Sequence, residues 1–597
     1  MNKNNKLSYL KPFYIVLSTL LFVYLLLRSF FVPLVYDEAA TFFIYILPGE
    51  YIPFYAYWDA NNHILNSFLS SCSYNLFGTD AWAIRLPNVL FFLFNIYFIY
   101  RLHIFFRYKY VWFAMALFLL FTHNATEYSA FCRGYGMAIS ALLGCIYFLL
   151  MFNHEQKIKY LFLLNLFSFF AVAANFTLLN TTIIITAFAI FYLFFYRIFN
   201  RKAALFCLIN FLVLGLATWI GFELKKRNTL YYGSPDGFYK VTLVSVSKLI
   251  SGTDAGWVPI VFIIVSCFAL VAVIYNWFKT EKRRTFGTPV FFLTVAFTGS
   301  IAAIILLNVI LSINYPEDRT GLYLYPLFVL FLFFAMDFCL KEKPATAIAS
   351  VFELLMFVHF LTQINFAYSA FWKQERVPPS FYQTILNENA GKEHEVFTSA
   401  YKIKTYVWNY YTFKNKIKLN EVYHEHFPSA HADYLIIEEN NFKKYPQVVS
   451  HYKEISRDAY NGIRLLKNNT PNDYRLIFDS TITEDKYINY SYVGLLDYKP
   501  SVDTIENIAI EFEVNLTCKG LTYIDFVFKA SNNKETITEA VCRTQWQREK
   551  WISPDNKIKN RIFLENVNGA DRFVLFINGR EGETYKIENL KLKMFSF

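Results

Sequence analysis

Charged residues are scarce in this chain: they make up 17% of its 597 residues, whereas 55% are hydrophobic and 20% aromatic. A composition so poor in charge excludes a single soluble domain. None of the eight cysteines lies in a C-x-x-C pair, and six of them lie within the membrane portion, where cysteine usually behaves as a small apolar residue. The formal charge of +11 is not accompanied by any nucleic-acid-binding motif. We therefore expect a membrane protein without a nucleic-acid partner.

The first two thirds of the chain consist of apolar stretches of the length that crosses a bilayer core. They predict about eleven transmembrane helices, near residues 13–33, 83–106, 110–128, 134–152, 159–178, 181–199, 203–222, 257–278, 286–310, 320–340 and 345–366. The basic start, residues 1–11, is followed by an apolar run that is too long for a signal peptide and has no small-residue cleavage site. We expect this run to remain as the first membrane anchor.

The basic residues of the membrane region lie in the short loops on the side of the N-terminus. They are Arg101, Arg107, Lys109, Lys157, Lys159, Arg197, Arg201, Lys202, Lys279, Lys282, Arg283, Arg284, Lys341 and Lys343. Such a bias predicts a cytoplasmic N-terminus. An odd number of spans then places the C-terminal third outside the cytoplasm. The composition, rich in Lys, Asn, Ile and Phe, is typical of a low-GC bacterium, so we expect an inner-membrane protein with a periplasmic C-terminal third.

After residue 366 the composition becomes that of a soluble protein. Residues 367–470 mix strand-like and short helical patterns, which predicts a small α/β domain. Residues 471–597 alternate with period two, as in 572–579 and 585–593, which predicts a β-sandwich of jelly-roll type. Its aromatic residues would suit a carbohydrate-binding role, although a sandwich core needs aromatics too. Cys518 and Cys542 lie in this region, and an extracytoplasmic location would allow a disulfide between them.

Polar residues gather at the predicted outer ends of the helices. Asp37-Glu38 stand where the first helix leaves the membrane, and acids at that depth cost several kcal/mol to desolvate unless they face a polar cavity. The outer loops add Asp59, Asn62, His63, Arg85, Arg133, Tyr135 and Arg319. Arginine binds phosphate in a bidentate geometry and keeps its charge, which suits an anionic lipid headgroup. Alternatively, Arg85 and Arg133 snorkel to headgroups or cap an interface.

The order of these motifs resembles that of the GT-C membrane glycosyltransferases of the family 39 type, which includes protein O-mannosyltransferases and lipid A aminoarabinose transferases. The matching residues, within 10–366, are Tyr36-Asp37-Glu38, a loop reaching His63, Leu76-Phe77-Gly78, Ala83-Ile84-Arg85-Leu86-Pro87, Arg133-Gly134-Tyr135 and Asp318-Arg319. The chain has His63-Ile64-Leu65 where the family commonly has His-Pro-Pro.

The resemblance implies a polytopic GT-C-like catalytic domain, residues 1–366, that transfers a sugar from a polyprenyl-phosphate donor to an extracytoplasmic glycan, lipid or protein acceptor, with inversion. Asp37 would be the general base, with Glu38 beside it to orient Asp37, hold the acceptor or share a metal. Arg85, Arg133 and Arg319 would bind the donor phosphate, and Asp59, Asn62, His63 and Tyr135 would contact substrate. Some relatives use a divalent metal ion and others do not, so metal dependence stays open.

Two other functions are compatible with a polytopic protein of this kind. A transporter or flippase of lipid-linked glycans would show internal repeats and charges near the bilayer midplane. Here the charges cluster at one face and no second half repeats the first, which favours an enzyme. An oligosaccharide transferase or polymerase is a closer alternative, and the sequence does not discriminate against it.

Overall fold

The chain forms two compact units, which a computed structural model describes residue by residue. The first unit comprises Met1–Val32, Tyr51–Phe54 and Trp58–Phe371, and the second comprises Pro33–Glu50, Tyr55–Tyr57 and Trp372–Phe597. The structure describes residues 3–597 except 57, 231, 280–285, 391–395, 404–405, 416–419, 425–427, 471, 483–485, 489–491, 501–504, 519–524, 533–534, 544–556 and 579–584. Residues 33–50 thus belong with the C-terminal part of the chain, although they follow the first helix in sequence.

The helices alternate between long apolar segments and short connecting ones. In chain order they are α1 (Lys3–Phe31), α2 (Tyr36–Thr41), α3 (Ile64–Phe77), α4 (Ala81–Arg101), α5 (Lys109–Leu120), α6 (His123–Thr126), α7 (Tyr135–Glu155), α8 (Lys159–Ala174), α9 (Leu179–Phe195), α10 (Arg201–Lys226), α11 (Val244–Ser251), α12 (Trp257–Lys279), α13 (Pro289–Leu311), α14 (Leu324–Cys339), α15 (Glu342–Gln363), α16 (Pro379–Asn389), α17 (Tyr406–Asn415), α18 (Glu439–Lys444) and α19 (Pro446–Val449).

Among the described residues, eight helices are long and apolar enough to cross a membrane, and three shorter apolar helices, α5, α8 and α14, accompany them. These eleven helices coincide with the eleven predicted spans, so the prediction of a polytopic helical membrane fold is confirmed. The central helix is α7, almost all of whose residues are buried.

One predicted span is shorter than expected. Residues 110–128 were expected to form one helix, but α5 ends at Leu120 and the chain continues through α6 and a 3₁₀ turn, Glu127–Ala130. Polar side chains begin at Thr122, whose hydroxyl returns to the Phe118 carbonyl at 2.8 Å. Irregular backbone at membrane depth survives when it is buried in protein, and residues 121–138 are buried throughout.

The connections at one end of the helices contact one another. Thr242 donates to the Pro316 carbonyl at 2.6 Å, and the Asn124 amide donates to the Leu249 carbonyl at 2.9 Å. The loops after α5, α10 and α13 therefore meet at the same end of the bundle.

The opposite end is closed by a second set of contacts. The backbone amides of Arg107 and Tyr108 donate to the Asp337 carboxylate, both at 2.9 Å. The Asn153 amide donates to the Gly287 carbonyl at 2.8 Å. The loops after α4, α7, α12 and α14 share this end, which is also where the predicted cytoplasmic basic residues stand.

A five-stranded sheet with helices on both faces opens the C-terminal region. Its strands are β1 (Phe397–Tyr401), β2 (Asn420–His424), β3 (Tyr434–Ile437), β4 (Tyr452–Arg457) and β5 (Arg464–Asn468), in the order β2-β1-β3-β5-β4. The pairs of β1 with β2 and β3 are parallel, and the others are antiparallel. Alternate residues of β3 separate the two cores: Tyr434 and Ile436 pack with α16 and α17, whereas Leu435 and Ile437 pack with α18 and α19.

Two antiparallel sheets follow and share one hydrophobic core, which makes them a β-sandwich. The strands are β6 (Arg475–Ile482), β7 (Lys486–Ile488), β8 (Tyr492–Tyr498), β9 (Ile508–Cys518), β10 (Asp525–Asn532), β11 (Glu535–Arg543), β12 (Lys557–Leu564), β13 (Arg572–Asn578) and β14 (Tyr585–Ser596). One sheet has the order β11-β10-β13-β8, and the other β12-β9-β14-β6 with β7 on β14. Phe512 and Phe526 stack across the two sheets, with ring centroids 4.5 Å apart. The side chains of Cys518 and Cys542 lie outside the described part, and their disulfide remains a prediction.

The five-stranded sheet and the sandwich are joined inside the second unit. Phe397 and Phe563 stack with centroids 3.6 Å apart. Beside them the buried Glu565 carboxylate accepts hydrogen bonds from the Ser429 hydroxyl and from the Ala430 amide. Burial raises the pKa of Glu565 to about 7, despite these two hydrogen bonds.

Candidate active site

His63 stands at the start of α3 and is buried in the first unit. Its Nδ1 lies 2.7 Å from the Ala174 carbonyl oxygen, and its ring packs edge-on against Tyr135 at 4.7 Å. A carbonyl oxygen only accepts, so Nδ1 must carry the hydrogen and a neutral ring keeps its lone pair on Nε2. That Nε2 is buried and has no hydrogen-bond partner among the described residues. The geometry therefore leaves an unused acceptor inside the protein.

The charge state of His63 follows from its surroundings. Burial lowers the pKa of His63 well below its usual value, and the nearby guanidinium groups of Arg133 and Arg319 lower it further. The hydrogen bond to Ala174 opposes this only in part. His63 is consequently neutral at physiological pH, and two of the three predicted phosphate-binding arginines, Arg133 and Arg319, act on the same imidazole.

Arg133 is held in a tight turn before α7. Its guanidinium donates to the Asn61 side-chain oxygen at 3.1 Å and lies over the Tyr135 ring at 5.8 Å. The Arg133 carbonyl accepts a hydrogen bond from the Asn88 amide at 2.6 Å. The arginine is 2% exposed, and the turn that carries it is held by the side-chain bond to Asn61 and the backbone bond from Asn88.

Gly134 next to it has no room for a side chain. A Cβ atom there would lie 1.9 Å from the Ala174 carbonyl oxygen and 2.8 Å from the Cβ of His63. The glycine therefore brings the Arg133 turn, α8 and His63 into direct contact.

Arg319 precedes α14 and is likewise almost buried, at 7% exposure. It donates to the Tyr232 hydroxyl at 2.6 Å and lies over the Tyr232 and Phe371 rings at 4.5 and 5.1 Å. Its neighbour Asp318 has a left-handed backbone with φ of 48°. Burial and the Glu317 carboxylate raise the pKa of Asp318 to about 6, against the lowering effect of Arg319. This loop thus presents a fixed cation beside an acid that titrates near neutrality.

Arg85 makes hydrogen bonds to backbone carbonyls at the end of the first helix. Its guanidinium is fully buried and donates to the carbonyls of Ser29 and Val32, at 3.1 and 2.7 Å, and lies 5.4 Å from the Phe131 ring centroid. Those carbonyls belong to the C-terminal end of α1, where unsatisfied acceptors and the helix dipole attract a cation.

Asp59 and Asn62 shape the loop that precedes His63. The Asp59 carboxylate accepts from the Asn61 amide at 2.8 Å, and the Asn62 side chain donates to the Tyr51 carbonyl at 2.9 Å. Ser67 donates to the Asn62 oxygen at 3.3 Å. These contacts orient Asn61, and through it Arg133.

Asp37 and Glu38 lie on α2 in the second unit. The buried Glu38 carboxylate accepts from the Val35 amide at 3.1 Å, while the Glu38 amide donates to the Val35 carbonyl at 3.1 Å. The Glu38 side chain thus caps the backbone amide of Val35 at the start of α2. Thr41 donates to the Asp37 carbonyl at 2.9 Å, and the Asp37 side chain itself is partly exposed.

Sequence analysis missed the pairing of Arg28 with Glu127. The two side chains are fully buried and form an ion pair at 2.7 Å. Glu127 also accepts from Ser369 at 3.0 Å, and Arg28 donates to the Asn365 carbonyl at 2.6 Å. Arg28 is the single charged residue of the apolar run 13–35, and a charge at membrane depth requires a partner; that was the available signal.

Among the described residues, no group of three or more His, Cys, Asp or Glu side chains converges as a metal site would require. The residues of the cluster just described are mainly arginine, asparagine, tyrosine and a single histidine. This donor set does not fit a divalent cation, which takes carboxylate oxygens or several imidazoles.

Comparison with known proteins gives similarities in structure only. No protein-family model matches the chain, and no curated protein matches its sequence. The chain is similar to ArnT from Cupriavidus metallidurans bound to undecaprenyl phosphate, with a TM-score of 0.45 and 10% identity over 76% of this chain and 97% of ArnT. It is similar to the arabinofuranosyltransferase AftD from Mycobacteria, with a TM-score of 0.38 and 9% identity over 98% of this chain and 58% of AftD. A third similarity is to the arabinosyltransferase EmbB from Mycobacterium smegmatis, with a TM-score of 0.33 and 9% identity over 97% of this chain and 64% of EmbB. These are GT-C glycosyltransferases, the class that the motifs predict.

Proposed function

We propose that this chain is an inverting membrane glycosyltransferase that moves a sugar from a polyprenyl-phosphate donor to an extracytoplasmic glycan, lipid or protein. The observation that carries the proposal is the buried cluster of Arg133, Arg319 and neutral His63 at one end of the helix bundle. Two buried guanidinium groups that act on one unpaired imidazole acceptor form a site for an anion that also carries hydroxyl groups. A sugar linked to a lipid phosphate has this chemistry.

The proposed orientation follows from the distribution of charge over the two ends of the bundle. The end that holds Arg107 and Lys109 carries the basic loops, and the cluster lies in the loops of the other end. The positive-inside rule then makes the N-terminus cytoplasmic and the cluster extracytoplasmic. We propose a bacterial inner membrane as the location, with the C-terminal domains in the periplasm.

In the proposed reaction the acceptor hydroxyl oxygen attacks the anomeric carbon while the bond from that carbon to the phosphate oxygen breaks. Asp37 takes the hydroxyl proton, a step worth about 10²–10⁴-fold in rate. The lipid phosphate leaves with its charge stabilised by Arg133 and Arg319, which are already desolvated and need no reorganisation. Attack opposite to the leaving phosphate inverts the anomeric configuration. Asp37 is assigned on the resemblance of Tyr36-Asp37-Glu38 to the family motif.

The remaining site residues have supporting roles in this proposal. His63 accepts a hydrogen bond from a substrate hydroxyl through Nε2, and Tyr135 packs beside it. Asp59 and Asn62 hold the loop, and Glu38 holds α2. Arg85, which also donates to the Ser29 and Val32 carbonyls, is a third proposed ligand of the donor phosphate.

The test is transfer by the purified chain in lipid nanodiscs, with radiolabelled undecaprenyl-phosphate sugars and candidate acceptors. Asp37→Asn should lower kcat at least ~100-fold because an amide does not take up the proton. Asp473→Asn, at a carboxylate that is 87% exposed, is the matched control and should keep full activity. Wild-type kcat in Asp37→Asn would exclude the mechanism, and movement of the donor lipid across the bilayer without transfer would identify a transporter.

Arginine variants test the anion site separately. Arg133→Gln and Arg319→Gln should each weaken binding of undecaprenyl phosphate, and the lysine variants should recover part of it because the charge is kept but the bidentate geometry is lost. Arg475→Gln, at an 80% exposed side chain, serves as the control. Unchanged binding in both glutamine variants would contradict the assignment.

A further inference from the structure

The short helix that carries Asp37 packs against a helix of the C-terminal domain. Tyr36, which directly precedes Asp37, meets Tyr406 of α17 edge-on, with ring centroids 4.5 Å apart. Both side chains are partly exposed. The residue next to the proposed base therefore contacts a side chain from the soluble third of the chain.

A second layer of aromatic contacts holds the continuation of α2. Phe42 is fully buried and meets Tyr410 and Phe413 at 5.3 Å each, and Phe43 meets Phe413 at 6.1 Å. Residues Phe42–Ile46 form a π-helical turn, a geometry that is uncommon and often found at functional sites. Together with the Tyr36 contact, these rings fix both ends of α2 on one face of α17.

The other side of α17 is anchored in the α/β core. Trp408 is 3% exposed and meets Tyr382 of α16 at 5.1 Å. Both belong to the hydrophobic cluster on one face of the five-stranded sheet. Because α17 packs on the sheet, its contacts with α2 hold the helix of Asp37 in a fixed position relative to the sheet.

We propose that Tyr406, Tyr410 and Phe413 are positioning residues of the transferase, which fix α2 and through it the Asp37 carboxylate. The inference rests on the proposed function, since it takes Asp37 as the base. It gives the α/β domain a part in the chemical step itself, in addition to any part in holding the acceptor. A displacement of a catalytic group by ~1 Å lowers a rate about 100-fold, so loss of these contacts should act on kcat.

The experiment compares Tyr406→Ala, Tyr410→Ala and Phe413→Ala with Tyr406→Phe, Tyr410→Phe and Phe413→Tyr in the full chain. The alanine variants should lower kcat by about ten- to 100-fold and leave the KM of the polyprenyl-phosphate donor within about twofold, because the arginines are untouched. The conservative variants should recover most of kcat. Phe442→Ala is the matched control, because Phe442 is a partly buried aromatic on the opposite face of the same sheet.

Tyr406→Ala keeps the proposal falsifiable if Phe413→Ala does not fold, because Tyr406 is partly exposed. Tyr36→Ala and Tyr406→Ala should have non-additive effects on kcat, since each removes the same contact. Unchanged kcat in folded Tyr406→Ala and Tyr410→Ala, with Asp37→Asn inactive, would overturn this inference alone. An active Asp37→Asn would instead overturn the proposed function.

Discussion

Replacing Gly134 by alanine is the sharpest structural test of the proposed site. The backbone of Gly134 has φ of −66° and ψ of −4°, which alanine adopts without strain. The obstacle is a steric clash, because the new Cβ would lie 1.9 Å from the Ala174 carbonyl oxygen. Ordinary contact begins near 3.4 Å, so one of the two segments must move by at least ~1.5 Å.

The size of the effect follows from what that movement breaks. Displacing the Ala174 carbonyl removes its 2.7 Å hydrogen bond to His63, worth about 0.5–1.5 kcal/mol. Overpacking adds about 1–3 kcal/mol. We expect a loss of about 2–4 kcal/mol in stability and, because His63 and Arg133 move together, about 100-fold in transfer rate.

Transfer of labelled sugar and thermal unfolding of the full chain in nanodiscs would measure both effects. Gly215→Ala is the control: this glycine lies exposed within α10 with no atom near its Cβ position, so alanine should be neutral or stabilise the helix slightly. If Gly134→Ala had wild-type activity and stability, the described packing of the Arg133 turn on His63 would be refuted.

Two further predictions concern buried carboxylates. Glu127→Gln leaves the Arg28 charge buried without its partner and should lower the free energy of unfolding by about 3–5 kcal/mol. The double variant Arg28→Met, Glu127→Leu should recover much of this loss, because neither charge is then buried alone. A double variant no more stable than Glu127→Gln would contradict the reasoning. Glu565 holds its proton more tightly when folded, with a pKa of about 7 against 4.5. Its own contribution to the free energy of unfolding should be full below about pH 4.5 and fall by ~3 kcal/mol as pH rises to about 7. Calorimetry across that pH range should show that the free energy of unfolding depends less on pH in Glu565→Gln than in the wild type.

The membrane fold was predictable because hydrophobic length alone sets it. Spans such as 257–278 need only enough apolar residues to cross the bilayer, and α12 covers Trp257–Lys279. The prediction was wrong for the second half of 110–128, where polar residues from Thr122 onward break the helix. A hydropathy pattern does not show that the neighbouring helices bury this irregular segment.

The site was predictable only as a set of residues. The arginines at the outer helix ends indicated an anionic substrate, and the structure places Arg133 and Arg319 near the buried imidazole of His63; the substrate itself stays a prediction. The hydrogen bonds of Arg85 to the Ser29 and Val32 carbonyls were not predictable, since a sequence does not show which backbone groups a buried arginine contacts. Its role in binding phosphate stays a prediction. Asn61 was also missed, because its role depends on a loop geometry that only tertiary packing defines.

The packing of α2 on α17 has a consequence for how the protein is made. Asp37 emerges early during translation, but Tyr406 is synthesised roughly 370 residues later, about 20–70 s at ordinary elongation rates. During that interval the segment 33–50 lacks the domain with which it packs. A nascent or truncated chain that ends before α17 would therefore carry the proposed base, Asp37, without the aromatic contacts that hold its helix.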